Sequence, residues 1–264
     1  MSLRPIAAAA LFAACASAAA GSGREHFLLD FQFIADPKNL FATMGYLVVF
    51  NPGDRPAEAR ETFYFEDRPP EARRITVPPR RNIVENFRRW PVRPNTRFAV
   101  RIESDADLVC QATSGWENTN NDERPGARTR DGAPPREAAS SYVALRGTAR
   151  EWLVADGIVI DAPAGTWVRE SETALLLNPG ASDAAVRLEI FNGGPTLVRE
   201  VAVPALRLSA VEMDGIVPKN RNYAVRIRSD RPIAAQWRRD LFRAGSDEPM
   251  SFWSVPAVRP ETGR

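Results

Sequence analysis

The chain has one histidine, His26, and two cysteines, Cys15 and Cys110, in 264 residues. A Ser/His/Asp triad needs a histidine placed inside a fold, and zinc sites take several His or Cys ligands. His26 lies just past an N-terminal leader and reads as an exposed terminal residue. That excludes triads, histidine metal clusters and the zinc-protease motif, and two cysteines are too few for a zinc site. Glycine-rich phosphate loops and dinucleotide fingerprints are missing as well, because Gly21-Ser22-Gly23 falls at the leader junction. Neither a cofactor nor a metal is expected. Lysine is confined to Lys38 and Lys219, so the 35 basic residues are nearly all arginine, set against 33 acidic ones for a net charge of +2. The two signs are interspersed, which gives no field for nucleic acid. Nowhere do apolar residues recur at three and four positions over three turns, and no apolar run reaches the roughly 20 residues that span a bilayer.

The opening stretch "MSLRPIAAAALFAACASAAAGSG" carries Arg4, an apolar run from Ile6 to Ala14, and small residues in Ala-x-Ala patterns. It predicts an export signal over residues 1–20, cut after Ala18 or Ala20. An alternative is a lipoprotein signal ending before Cys15: Leu11-Phe12-Ala13-Ala14-Cys15 resembles a bacterial lipoprotein box, with Phe12 where that pattern usually has Leu. Cys15 is then the lipidation candidate and a lipid anchor. The expected location is exported, either periplasmic or a membrane-anchored lipoprotein. Both routes leave Cys110 unpaired in an apolar run, where a small buried core residue is expected.

The rest of the sequence is written twice. "FAVRIESDADLVCQ" (Phe98 to Gln111) returns as "YAVRIRSDRPIAAQ" (Tyr223 to Gln236), 125 residues later. "VVFNPG" at Val48 returns as "LLLNPG" at Leu175, offset 127, and "TVPPRR" at Thr76 as "AVPALR" at Ala202, offset 126. Landmarks repeating at one interval mark an internal duplication. Ser141 and Ser251, in matching terminal strands, are only 110 apart, so the first copy holds about 15 extra residues. They fall within residues 117–139, a Pro-, Gly- and charge-rich stretch expected to be a disordered loop, whose Asn118 to Glu123 oxygens lack the spacing of a known calcium loop. The expected units are residues 25–149 and 150–260.

Each copy alternates apolar and polar residues. Phe98, Val100 and Ile102, or Tyr223, Val225 and Ile227, form one face, with Arg101 and Glu103 or Arg226 and Arg228 on the other, the period of a strand with one wet side. Ser104-Asp105 and Ser229-Asp230 predict turns before the next strand. The Asn-Pro-Gly sequences predict type II turns with Gly53 and Gly180 at positive φ. Glu61 falls at the inward position held by Leu188 in the second copy, a mismatch. Short strands at turn-punctuated intervals predict an all-β chain of two antiparallel β-sandwiches in tandem.

The Asn-Pro-Gly turn, the Val-Pro step before the arginines and the Pro-Ile-x-x-Gln strand together resemble the sensory rhodopsin transducer family. The second copy is the more similar: Trp152 to Gly157, Ser171 to Gly180, Val203-Pro204, Ser229 to Gln236 and Arg239-Asp240 follow in family order over about 110 residues. The first copy opens differently, on "HFLLDFQFIADPKN". The resemblance implies a compact β-sandwich that works by binding, assembles into small symmetric oligomers, here a homodimer, and has no catalytic residues. The namesake transducers are single-domain and cytoplasmic and partner a membrane photoreceptor. This chain is tandem and is expected to carry an export leader, so the architecture carries over further than the signalling role.

Binding chemistry concentrates where "AAQWRRDLF" brings Gln236, Trp237, Arg239 and Asp240 together, with Gln111 and Trp116 at the matching strand of the first copy. Rings beside amides and guanidinium groups suit glycan or carboxylate recognition. The same residues also suit interior packing, with Trp237 and Trp253 between layers and Arg239 and Asp240 paired locally. Arg80, Arg81, Arg88 and Arg89 read as a solvated face. The expectation is a non-catalytic binding, adhesion or assembly module of the bacterial envelope, whose partner is an envelope protein or a glycan. A carbohydrate-binding module is the alternative, and a carboxylate-based hydrolase a third reading.

Overall fold

The structure is a computed structural model, and it describes residues 24–33, 42–86, 90, 92–93, 95–118, 136–161, 168–243 and 249–260. Among these there is no helix. In the first unit the strands are β1 (Glu25–Phe33), β2 (Ala42–Asn51), β3 (Ala57–Phe65), β4 (Glu71–Val77), β5 (Arg81–Asn86), β6 (Thr96–Ser104), β7 (Val109–Asn118), β8 (Arg136–Val143) and the short β9 (Leu145–Arg146). They form two sheets, ordered β4-β3-β6-β1-β9 and β5-β2-β7-β8. Strands β7 and β8 extend into the stretch predicted to be a loop, pairing Asn118 with Arg136. The centre of that stretch, with every residue weighed for calcium except Asn118, lies outside the described residues, as do Cys15, the leader, Arg88 and Arg89.

The second unit has β10 (Ala149–Ile158), β11 (Val168–Asn178), β12 (Ala184–Phe191), β13 (Leu197–Val203), β14 (Arg207–Glu212), β15 (Asn222–Arg243) and β16 (Pro249–Pro256). Its connectivity repeats the first. The N-terminal half of β15 pairs with β10 and β12, as β6 does with β1 and β3, and its C-terminal half pairs with β11 and β16, as β7 does with β2 and β8. The turn predicted at Ser229-Asp230 is a kink within one 22-residue strand that passes from one sheet to the other. A register shift there takes the pairing from Glu151–Arg228 to Ala149–Ile233.

The duplication reaches backbone detail. Left-handed residues occur in matched pairs, Arg80 with Leu206 and Asn95 with Asn220. Arg80 N–H donates to the Gly53 carbonyl as Leu206 N–H does to Gly180. Gly53 and Gly180 are not at positive φ, contrary to the predicted type II turn. The side chain of the preceding asparagine makes the turn instead: Asn51 Oδ1 accepts from Gly53 N at 2.9 Å and Asn178 Oδ1 from Gly180 N at 3.0 Å. Asn51 Nδ2 donates onward to the Arg55 and Val77 carbonyls, and Asn178 Nδ2 to those of Ser182, Val203 and, at 3.3 Å, Pro204. These buried amides fasten the turn to the end of the next hairpin.

Each unit closes its own interior. The first is aromatic-rich, with Phe31 stacked on Phe98 and Trp90 edge-on to both. Cys110 lies there, buried, and burial with the Glu61 charge nearby pushes its thiol up to about 12, so it stays protonated and inert. Glu61 is indeed inward and fully buried, and the mismatch with Leu188 is resolved by Arg73 on the neighbouring strand, whose Nε donates to it at 2.6 Å. Burial still pushes the Glu61 carboxyl upward, with Arg73 opposing.

The second interior contains Val186, Leu188, Ile190, Trp152 and Trp237, and it continues into Phe27, Leu29, Tyr64, Ala99 and Leu145 of the first unit. Strand β1 is therefore buried on both faces, Leu28 and Phe31 toward its own unit and Phe27 and Leu29 toward the next. That is why its sequence is a near-continuous apolar run that departs from the family pattern. It also corrects the reading of His26 as an exposed end: the residue is only 2% exposed, held between Ile102 and Arg146.

Candidate functional site

The strands β14-β11-β15-β16 turn one face toward the interior of the second unit and the other toward the first unit. Thr173, Leu175, Leu177, Ala234 and Gln236 of that outer face are all buried. Leu29 N–H donates to Gln236 Oε1 at 2.9 Å, while Gln236 Nε2 donates to Ser254 Oγ at 2.7 Å. Arg238 Nη1 donates to Asp30 at 2.9 Å, and its Nε to Asp240 at 2.8 Å. The Tyr142 hydroxyl donates to the Asp30 carbonyl at 2.8 Å. Burial works against the Arg238 charge, and the Asp30 and Asp240 carboxylates together more than offset it.

Four of the six binding candidates thus sit in the second unit's interior or at the junction. Gln236 and Asp240 serve the junction, Asp240 through Arg238. Trp237 is packed inside the sandwich, with Tyr223 edge-on to it. Arg239 points inward, pairing with the fully buried Glu172 at 2.6 Å and donating to the Asp156 carbonyl at 2.8 Å. Glu172 also accepts from the Tyr223 hydroxyl and from Ile158 N at 3.0 Å. The local pairing expected of Arg239 with Asp240 is replaced by Arg238–Asp240 and Arg239–Glu172, because adjacent strand residues face opposite sides. Trp116 is on β7, its backbone opposite Thr43 and Ala138. Among the described residues no group of three His, Cys, Asp or Glu could hold a metal ion.

Gln111, the first-copy match of Gln236, lies on a different kind of surface. Strands β5, β2, β7 and β8 set three rows of outward residues side by side: Asn82, Phe50 and Val109; then Val84, Val48, Gln111 and Val143; then Asn86, Tyr46, Thr113 and Ser141. None of these eleven is charged. Val84 and Val143 are 59% and 62% exposed, and Phe50 and Val109 are exposed as well. Polar members hold the rows in place, with Thr113 Oγ1 and Ser141 Oγ at 2.8 Å. At one edge the face opens into a cleft of about 320 Å³ lined by Tyr46, Arg73, Val84, Glu85, Asn86 and Trp90. Sequence reasoning found one residue here, Gln111. The signal that would have found the rest was the missing charge at alternate positions of three strands.

By the internal repeat, this face and the covered face of the second unit are the same surface. Val48, Phe50, Val109 and Gln111 correspond to Leu175, Leu177, Ala234 and Gln236. One copy is buried by a neighbouring unit and the other is exposed.

No curated protein matches this chain. Solved structures similar to parts of it include the following two. The crystal structure of Thermotoga maritima 1070 is 16% identical over 47% of this chain and 94% of its own, with a TM-score of 0.37. The Anabaena sensory rhodopsin transducer is 26% identical over 33% of this chain and 85% of its own, with a TM-score of 0.30. A family model described as the Anabaena sensory rhodopsin transducer matches residues 34–122 and again residues 147–252, one segment in each unit. With more than half of its length matched, and matched twice, the chain belongs to the Anabaena sensory rhodopsin transducer family.

Proposed function

We propose that this chain is a non-catalytic binding and assembly protein of the bacterial envelope, and that it engages its partner through the uncharged outer face of β5-β2-β7-β8. The observation that carries this reading is the contrast between that face and the buried polar groups. Glu61, Asp30 and Glu172 are each held by an arginine inside the protein, which is the arrangement of structural ion pairs. Four of the exposed large apolar residues, Phe50, Val84, Val109 and Val143, gather on this one sheet surface, as on binding faces, while Phe191, Val198, Val255 and Val258 lie elsewhere on the second unit. The leader over residues 1–20, with Cys15 as an alternative lipid anchor, supports an exported location.

A second reading, glycan binding, is favoured by Tyr46 lying between Asn86 and Thr113 one row from Gln111: a ring beside planar amides and a hydroxyl. The test is a photo-crosslinking residue at position 84 or 143, expressed in the native bacterium and activated in intact cells. Adducts with an envelope protein are expected from both positions and not from position 198 on β13. Adducts with polysaccharide alone select the second reading. Adducts from position 198 equal to those from 84 and 143 contradict both.

A further inference from the structure

We infer that the cleft between the edge strands β13 and β14 binds a small aryl carboxylic acid, with its carboxylate on Arg199 and its ring against Val201, Val211 and Ile216. This site is separate from the partner face of the first unit and goes beyond it. Among the described residues β13 pairs only with β12 and β14 only with β11. The gap between the two edges is a cleft of about 550 Å³, the size of a small-ligand pocket. Val201, Val211 and Ile216 line it half-buried, and Arg199 lines it exposed.

The internal repeat identifies what this cleft lacks. In the first unit the corresponding edges, β4 and β5, are tied together by Arg73, which donates to the buried Glu61 at 2.6 Å and pairs with Glu85. Trp90 is buried beside them, its Nε1 donating to Glu85 at 3.0 Å and its ring 5.9 Å from the Arg73 guanidinium. Strand register carries these positions across. Arg73 lies opposite Glu61, and Arg199 opposite Leu188. Glu85 lies opposite Leu47, and Val211 opposite Ala174, the matching residue of β11. Counted on from Arg81 and Arg207, Trp90 falls at Ile216. The second unit therefore holds the guanidinium and lacks both carboxylates and the ring. Trp237, where the first unit has Ala112, returns ring bulk to the interior from β15, and the gap at the edge remains.

No other acid takes over. Among the described residues Arg199 has no ion-pair partner. Its neighbour Glu200 faces the opposite side of the strand and pairs with Arg187 at 2.9 Å. Glu212 accepts from the Thr173 hydroxyl at 2.9 Å and pairs with Arg97. An aryl-alkanoic acid supplies in one molecule the ring and the carboxylate that Trp90 and Glu85 supply in the first unit. A guanidinium takes a carboxylate through two parallel bonds and also lies well over a ring. The wall that receives the ring is held in place: Ile216 N and Val217 N donate to the Met213 carbonyl at 2.8 and 3.1 Å, and Met213 N to that of Glu172 at 2.8 Å.

The test is a fluorine NMR titration of the purified full chain with fluorinated indolepropionate and, separately, with its uncharged primary amide. The acid should bind with a Kd in the hundreds of micromolar, and the amide at least tenfold more weakly. Arg199→Gln should weaken the acid at least tenfold and leave the amide within about twofold, so that the two probes become alike. Val211→Glu, which restores the internal carboxylate of the first unit, should abolish binding of the acid. If that variant does not fold, Ile216→Trp, which returns the ring, should abolish it instead. Arg228→Gln, at an exposed arginine of β15, should bind both probes as the wild type does. The inference is overturned by a wild type that binds no acid at about 5 mM, by acid and amide binding alike to the wild type, or by an Arg199→Gln variant that melts normally and still prefers the acid.

Discussion

Lowering the pH from 7.5 to 5 should cost this protein stability through one residue, His26. The imidazole is enclosed by β1, β6 and β9, and its Nε2 has no hydrogen-bond partner. Burial and the Arg146 charge push its pKa down from 6.5 to about 4, with Asp107 opposing. The folded state therefore holds the neutral ring, while the unfolded chain takes up a proton near pH 6.5. This contribution is fully present above pH 6.5 and is lost progressively as pH falls toward 4. With those two values the loss at pH 5 is about 2 kcal/mol, roughly thirtyfold in the unfolding equilibrium. Glu61 works in the opposite direction. Its raised folded pKa means that the penalty for its charge, felt at higher pH, is relieved as pH falls through that value. The measurement must therefore isolate histidine: urea unfolding of wild type and His26→Gln at pH 7.5, 6 and 5, compared at each pH. The difference between the two proteins should shift by about 2 kcal/mol across that range. A difference that stays flat, or a single histidine NMR resonance titrating near 6.5, would refute the buried placement and the linkage drawn from it.

Glu61→Leu installs the side chain that the second copy carries at this position. Burying leucine contributes about 2 kcal/mol and removes a desolvated carboxylate, against the loss of one charge-assisted bond worth about 1.5–3 kcal/mol. Arg73 retains Glu85, so the variant should be about 1 kcal/mol more stable in urea, whereas Glu61→Ala, which leaves a cavity, should be about 2 kcal/mol less stable. Asn178→Ala removes four hydrogen bonds at the second unit's turn, one of them long at 3.3 Å, and should cost about 3 kcal/mol. Asn51→Ala removes the three matching bonds and should cost a similar or slightly smaller amount, and a larger loss from Asn51 than from Asn178 in chemical denaturation would contradict the equivalence of the turns.

Repetition and alternation were legible in the sequence because both are local. The fourteen-residue echo at Phe98 and Tyr223, and the period of two within it, become β6 and the first half of β15. What the sequence left hidden depends on which unit covers which face. Gln236 and Gln111 are the same residue in the same strand context, yet one is sealed by Leu29 and the other faces outward, and no local pattern separates them. His26 looked terminal because it follows a leader; its burial comes from β9 and β6, about 120 and 76 residues away in sequence. Glu61 looked misplaced because its partner, Arg73, lies across a hairpin. The Asn-Pro-Gly turn was located correctly and given the wrong mechanism, since a buried asparagine amide does the work assigned to glycine.

The central claim is that binding belongs to the uncharged sheet face of the first unit and not to the Gln-Trp-Arg-Arg-Asp strand of the second. Retention of the purified protein on envelope fractions of its own bacterium, wild type against Val84→Lys with Val143→Lys, tests it most directly. The account predicts at least a tenfold loss of retention, about 1.4 kcal/mol or more, with an unchanged melting temperature. Equal retention of the two proteins would contradict it.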